Sequence, residues 1–161
     1  MKNRKALFIT EAAMIAAVYV VLTVLINMAN LAGGFIQLRI SEALTILPIF
    51  TPAAIPGLFV GCILGNIFTG CMPWDVVFGS LATLIGAIGT YYLRKKTALA
   101  ILPPIMANTL IVPLILKYVY NVPGILPFLF ASIGISELVS VGILGNLLIC
   151  MLKPYRHILF R

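Results

Sequence analysis

Three of the four acidic residues of this chain, Glu42, Asp75 and Glu137, lie inside or at the ends of long apolar stretches. An ionised carboxylate in hydrocarbon costs at least about 2.5 kcal/mol, so such a group is normally paired, hydrated or functional. A carboxylate accepts hydrogen bonds from N–H groups and attracts cations, because its oxygens carry the negative charge. We therefore predict that these acids hold a polar or cationic ligand within a membrane.

Glu137 is the acid for which a purely structural role is hardest to find. It lies twelve residues after Ile125, or roughly 18 Å by helix rise, near the middle of a membrane. The apolar segment 126–152 contains no Lys or Arg to neutralise it, and a stripe of serines accompanies it: Ser132, Ser136 and Ser140. Intramembrane carboxylates are functional by default, so the pattern predicts a ligand-binding acid in a polar groove.

The other polar candidates each have a structural alternative. Asp75 begins a helix, where the backbone dipole favours an acid, and Trp74 beside it has the character of an interfacial belt residue. Glu42 lies three residues after Arg39, a spacing that favours an ion pair on one helical face. Asn108 is either an interhelical hydrogen-bonding residue or a ligand contact.

The sequence offers no catalytic group to accompany these acids. Its single histidine, His157, lies in the predicted cytoplasmic tail, which excludes histidine metal sites and Ser-His chemistry. No phosphate-binding loop is present, so the chain does not hydrolyse ATP by that route. The three cysteines share no metal-type spacing: Cys62, Cys71 and Cys150. We expect a protein that is not an enzyme and that holds no metal or cofactor.

Composition indicates a polytopic helical membrane protein, because 62% of the residues are hydrophobic and 9% charged. Apolar runs fill residues 1–161, so we expect a single integral membrane domain. The predicted helices cover residues 6–29, 41–50, 55–68, 75–93, 98–118 and 126–152. The segment 41–50 is ambiguous, because Pro48, Pro52 and Pro56 interrupt it and remove backbone donors.

The basic residues favour six spans with both termini in the cytoplasm, since cytoplasmic loops carry the excess of Lys and Arg. Only Arg39 and Lys117 then lie on the outer side, whereas five spans place six of the other nine outside. Those nine residues are Lys2, Arg4, Lys5, Arg94, Lys95, Lys96, Lys153, Arg156 and Arg161.

Small residues recur at four-residue spacing on three predicted helices, a pattern that lets helix backbones approach closely in membranes. The series Gly57, Gly61, Gly65 and the series Ala82, Gly86, Thr90 indicate internal packing. The first helix carries two adjacent ridges, which favour either a helix inside the bundle or a partner protein: Ala12 with Ala16, and Ala13 with Ala17.

Several segments resemble the queuosine-precursor transporter (QueT-like) family, whose members are substrate-binding S-components of energy-coupling factor (ECF) transporters. The most specific are RISEALTILP at 39–48, TPAAIPGLFVGC at 51–62 and WDVVFGSLAT at 74–83. The segments SELV at 136–139 and GILG at 142–145 are similar to the family's last helix.

The resemblance implies a six-helix bundle with an outward-facing pocket capped by its first, third and fifth loops. It also implies that the first helix docks on a transmembrane coupling subunit through Ala12, Ala13, Ala16 and Ala17. Two further subunits would bind and hydrolyse ATP, and the substrate would be a 7-deazaguanine precursor of queuosine.

The polar residues suit such a ligand. We expect Glu137 to accept hydrogen bonds from the guanine-like N–H edge and Asp75 to bind a cationic aminomethyl group. Stacking on aromatic rings is worth about 1–3 kcal/mol per base, which suits Trp74 and Tyr118 to the flat ring. The full set of candidate substrate-binding residues is Glu137, Asp75, Trp74, Glu42, Asn108, Arg39 and Tyr118.

Three alternatives stay open at the level of sequence. The fold also serves S-components that bind other vitamins or nucleobase-like micronutrients, so fold alone does not fix the ligand. A proton-coupled secondary carrier would use Glu137 as its relay and would need no partner subunits. A scaffold membrane protein without a ligand would leave Glu137 unexplained.

Overall fold

The computed structural model describes residues 4–29 and 39–155, which form a bundle of helices. Four residues named in the sequence analysis lie outside the described part: Lys2, Arg156, His157 and Arg161. Residues 30–38, between the first two predicted helices, also lie outside it. Within the described ranges every regular element is helical, which confirms the predicted all-α class.

Six helices follow one another along the described chain. They are α1 (Arg4–Met28), α2 (Ile40–Ile49), α3 (Ala54–Phe68), α4 (Pro73–Tyr92), α5 (Thr97–Tyr118) and α6 (Leu126–Tyr155). Helices α1, α4, α5 and α6 are long and apolar enough to cross a membrane, whereas α2 and α3 are shorter apolar helices. Each predicted segment overlaps one observed helix along nearly all of its length.

Helix α2 is unusual because it has 3₁₀ geometry over ten residues and lies buried in the bundle. Runs of 3₁₀ helix longer than three or four residues are uncommon, and the run often marks strain or a hinge. All residues from Ser41 to Pro48 are buried, so this helix has no exposed polar face. A helix that is apolar nearly all round belongs inside a bundle, which explains its central place.

The glycine series of α3 packs against α1. A Cβ atom on Gly57 would lie 2.7 Å from the Ala12 carbonyl oxygen, and one on Gly61 would lie 3.1 Å from Ala16 Cα. The absence of side chains at these glycines therefore allows the two backbones into contact, as the small-residue spacing predicted.

This seam occupies half of the face on α1 that was predicted to dock on a partner. Ala12 and Ala16 contact α3, and Ala16 is buried. Ala13 and Ala17 are exposed, because they lie on the neighbouring ridge about 100° around the helix. Spacing alone did not show which of the two equivalent ridges would meet the glycines.

The small-residue series of α4 packs against the start of α5. A Cβ atom on Gly86 would lie 2.7 Å from Pro104 Cα, and Thr90 Oγ1 donates a hydrogen bond of 2.8 Å to the Ala100 carbonyl oxygen. The internal-packing interpretation of both series is thus confirmed.

Helix α6 changes its winding directly after Glu137. It is α-helical over Leu126–Glu137, a π-helix over Leu138–Gly145 and α-helical again over Asn146–Leu152. A π-turn shifts the register of the side chains and occurs frequently at functional sites. The shift lets Gly145 approach Ile46 of α2 while Glu137 faces the interior.

The two ends of the bundle differ in charge. One end, which we call the basic end, carries the start of α1, the turn between α4 and α5 and the end of α6. Its basic residues are Arg4, Lys5, Arg94, Lys95, Lys96 and Lys153. The opposite end, which we call the cavity end, carries Asp75, Arg39 and Lys117.

Candidate functional site

A cavity of about 310 Å³ opens at the cavity end, where α1, α3 and α5 end and α4 begins. Its volume falls at the lower end of the range typical for small-molecule sites. Polar and apolar side chains both line it. The polar ones are Thr23, Asn27, Arg39, Ser41, Asn66, Thr69, Asp75 and Tyr120.

Asp75 lies at the mouth of this cavity, in the first turn of α4. Its Oδ2 accepts a hydrogen bond of 3.0 Å from the Tyr120 hydroxyl, which itself accepts one of 3.0 Å from the Met72 backbone N–H. Partial burial, with the Asp75 charge beside it, raises the pKa of the Tyr120 phenol above its ordinary value. Through these two hydrogen bonds the phenol holds the loop after α5 against the start of α4.

Arg39 and Asn66 form the next part of the cavity wall. The Arg39 guanidinium donates to Asn66 Oδ1 at 3.5 Å, and its side chain is 16% exposed. Asn66 is buried two residues before the end of α3, and its Nδ2 donates to the Cys62 sulfur at 3.7 Å. This part of the wall presents mainly hydrogen-bond donors.

Glu42 lies immediately below the cavity and joins three helices. Its Oε1 accepts a hydrogen bond of 2.6 Å from the Tyr19 hydroxyl of α1, and its Oε2 accepts one of 3.1 Å from Asn108 Nδ2 of α5. Arg39 Nη2 lies 3.7 Å from Oε1, so the predicted ion pair is confirmed. Glu42 is fully buried, and these partners replace the water that its charge would otherwise need.

Glu137 lies beside Asn108 and near Glu42, at 2% exposure. Its Oε2 and Asn108 Oδ1 are buried atoms without a hydrogen-bond partner among the described residues. Asn108 is one helical turn, about 6 Å along α5, before the cavity-lining Val112, and neither Asn108 nor Glu137 lines the cavity itself. A buried unpaired acceptor costs about 1–3 kcal/mol, and a donor arriving there would relieve that cost.

The structure brings together five of the seven predicted substrate-binding residues. Asp75 and Arg39 line the cavity, and Glu42, Asn108 and Glu137 form the polar cluster below it. The two aromatic candidates are not part of this arrangement. Trp74 is 61% exposed and stacks on Phe78, and Tyr118 is 70% exposed; neither lines the cavity.

Sequence reasoning missed two tyrosines that the structure places in the site. Tyr19 is fully buried and bonded to Glu42, and Tyr120 lines the cavity beside Asp75. The signal for Tyr120 was present, since it is one of two tyrosines in a predicted outer loop region. Tyr19 gave none, because it lies within an uninterrupted apolar helix far in sequence from its partner.

The site is suited to binding rather than to covalent chemistry. The buried acids Glu42 and Glu137 provide acceptors, and Asp75 provides a site for a cation. The Arg39 guanidinium provides a charged donor. Among the described residues no group of three or more His, Cys, Asp or Glu side chains is placed to hold a metal ion.

Apolar helices long enough to cross a bilayer, with a polar cavity at one end, define a multi-pass membrane protein. A family model described as "QueT transporter" matches residues 9–154. The chain therefore belongs to the QueT transporter family, as its sequence segments indicated.

A relative in that family is similar over part of its length. The chain is 35% identical over 86 residues to the "Queuosine precursor transporter QueT" of Lactococcus lactis subsp. cremoris (strain MG1363). The match covers 53% of this chain and 50% of the relative, so the chain spans about half the length of the curated relative it matches. No solved structure matches the chain.

Proposed function

We propose that the protein is the substrate-binding subunit of an ATP-driven ECF-type uptake transporter and captures a 7-deazaguanine precursor of queuosine. Membership of the QueT transporter family supports this proposal, together with the similarity to a protein named as a queuosine precursor transporter. The observation that carries it is the polar cavity with Asp75 at its mouth and unpaired acceptors below it.

The proposed ligand matches the order of groups in the site. Asp75 binds the cationic aminomethyl group near the mouth, where water still reaches the carboxylate. In the proposal the bound ligand reaches below the cavity to Glu137 and Asn108, which accept the N–H groups of its guanine-like edge. Tyr120 lines the cavity and therefore lies beside the ligand ring in this proposal. The sequence predicts Trp74 and Tyr118 at this position.

In the proposed orientation all six helices cross the membrane, with both termini in the cytoplasm. The basic end then faces the cytoplasm, as the distribution of Lys and Arg in membrane proteins favours. The cavity end faces outward, so the ligand enters from the outer side.

Uptake in this proposal uses ATP hydrolysed by two separate subunits, through a transmembrane coupling subunit that contacts α1. Ala13 and Ala17 are the exposed small residues available for that contact. They form a flat strip among large exposed apolar side chains such as Met14 and Val18, which favours close approach of another helix.

Calorimetry on the detergent-purified protein tests the ligand assignment. Asp75→Asn and Glu137→Gln each keep the shape of the side chain but remove a charged acceptor. We expect each to weaken binding of the aminomethyl deazaguanine at least about tenfold, or about 1.4 kcal/mol. Glu11→Gln is the matched control, because Glu11 lies towards the basic end and bonds Thr51 at 2.8 Å.

The control variant should bind like wild type. If Asp75→Asn and Glu137→Gln both fold and bind the precursor with wild-type affinity, the ligand does not occupy this cavity. A wild-type protein that binds no deazaguanine at all would overturn the proposed substrate.

A further inference from the structure

The cavity wall between Asp75 and the buried acids carries hydrogen-bond donors whose contacts within the protein are long. Among the described residues the Arg39 guanidinium contacts Asn66 Oδ1 at 3.5 Å and Glu42 Oε1 at 3.7 Å. A charge-assisted N–H···O bond is normally about 2.7–2.9 Å long, and a guanidinium has five N–H donors. The Arg39 guanidinium is therefore held by long contacts and has donors available for shorter hydrogen bonds to a ligand.

Asn66, which contacts this guanidinium, and Asp75 both lie beside Gly79 of α4. A Cβ atom placed on Gly79 would lie 3.3 Å from Asn66 Nδ2 and 3.2 Å from Asp75 Oδ1. Both polar atoms therefore face the bare backbone of Gly79. The wall carries an acceptor, Asp75, and the donors of Asn66 and Arg39, whereas the acceptors of Asn108 and Glu137 lie below the cavity.

An aminomethyl deazaguanine carries its polar groups in the complementary order. The cationic aminomethyl group is next to the ring carbonyl oxygen, and the carbonyl oxygen is next to the ring N–H and the exocyclic amine. When the aminomethyl group lies at Asp75 and the N–H edge points down, the carbonyl oxygen faces the middle of the wall. That oxygen is an acceptor and needs donors on burial.

We propose that Arg39, supported by Asn66, recognises the carbonyl oxygen and makes the site specific for an oxo-purine-type ring. This inference rests on the proposed function and adds the group that selects the ring. An arginine has no acceptor, so a ring with an amino group at this position would set donor against donor. A ring lacking the oxygen would leave the guanidinium without the bond it gains on binding.

Calorimetry with two ligands on the wild-type protein tests the inference without a mutation. The ligands are the aminomethyl deazaguanine and its thione, in which sulfur, a much weaker acceptor, replaces the carbonyl oxygen while the ring N–H is kept. We expect the second to bind at least about tenfold more weakly. Equal affinities for the two ligands overturn the inference but leave the proposed function standing.

A variant series assigns the discrimination to Arg39. In Arg39→Gln the ratio of the two affinities should fall towards one, mainly because the carbonyl-bearing ligand loses affinity. Arg39→Lys keeps a charged donor and should restore part of the ratio. Lys117→Gln is the matched control, since Lys117 is the other basic residue of the cavity end and bonds the Gly124 carbonyl oxygen at 2.9 Å.

The ratio separates recognition from a structural role of Arg39. A purely structural residue would weaken both ligands by the same factor when replaced, and an unchanged ratio in Arg39→Gln overturns the inference. If wild type binds neither ligand, the proposed function itself fails, and the inference falls with it.

Discussion

At the scale of single residues, the two buried acids below the cavity differ in how well they are paired. Glu42 and Glu137 are both buried, and Arg39 is the basic residue that contacts this cluster in the described chain. Glu42 takes the stronger share of the available donors, with Tyr19 at 2.6 Å and Asn108 at 3.1 Å. Within residues 4–29 and 39–155, Glu137 keeps an oxygen without a partner, so it is the acid left to receive a donor from a ligand.

Tyr19→Phe should destabilise the protein, because it removes the shortest hydrogen bond to Glu42 and leaves Oε1 with the 3.7 Å Arg39 contact. The loss of a bond to a buried acceptor costs about 1–3 kcal/mol. Thermal unfolding in detergent measures the effect as a lowered midpoint. Tyr155→Phe, at an exposed position of the basic end, is the control. Matching midpoints for the two variants would show that the hydroxyl contributes little.

Local sequence predicted part of the site and missed the rest for a physical reason. The Arg39–Glu42 pair follows from a spacing of three residues, and Asp75 from its place at a helix start. The bond from Tyr19 to Glu42 joins residues 23 apart, on two different helices. Such a contact depends on how the helices pack, which no local spacing records.

At the scale of elements, the two ridges of α1 are expected to have different roles. Ala16→Trp places a large ring against α3, where Gly61 leaves room only for backbone contact, so it should prevent folding. Ala13→Trp places the ring on the exposed ridge and should leave folding and ligand binding intact. If the exposed ridge docks on the coupling subunit, Ala13→Trp abolishes complex formation and uptake.

Co-purification of the coupling subunits, together with calorimetry, measures both effects on the same preparations. Ala17→Ser, a small change on the same exposed ridge, serves as the control and should behave like wild type. Normal uptake by Ala13→Trp contradicts the proposed docking face, whereas a correctly folded Ala16→Trp contradicts the observed seam with α3.

Hydrophobic runs and basic clusters located the helices well, because an apolar stretch bounded by polar residues has few other options in a membrane. The winding within the helices was not predictable from the same pattern. The 3₁₀ helix α2 and the π-helical part of α6 contact each other through Ile46 and Gly145. The two irregular helices pack against each other, and this packing, which the hydrophobic pattern does not record, accompanies the change in winding.

At the scale of the whole molecule, α2 and α3 are short for membrane spans, whereas the distribution of basic residues favours six spans that include them. With ten residues at about 2 Å rise and fifteen at about 1.5 Å, each is near 20–23 Å long, short of a hydrocarbon core of about 30 Å. Their connecting turn is placed by Thr51, whose hydroxyl bonds Glu11 at 2.8 Å. Glu11 lies seven residues after Arg4, about 10 Å along α1.

Thiol labelling from each side of the membrane tests the six-span topology, and Pro52 is the decisive position. The background replaces Cys62, Cys71 and Cys150 with alanine, and single cysteines are placed at exposed Lys95, Pro123 and Pro52. We expect Lys95→Cys to label from the cytoplasmic side and Pro123→Cys from the outer side. Pro52→Cys should label from the same side as Lys95→Cys but more slowly. The hydrogen bond between Thr51 and Glu11 holds the turn between α2 and α3 deeper in the membrane than the start of α1. Labelling of Pro52→Cys only from the side of Pro123 would show that α2 and α3 enter and leave on one side.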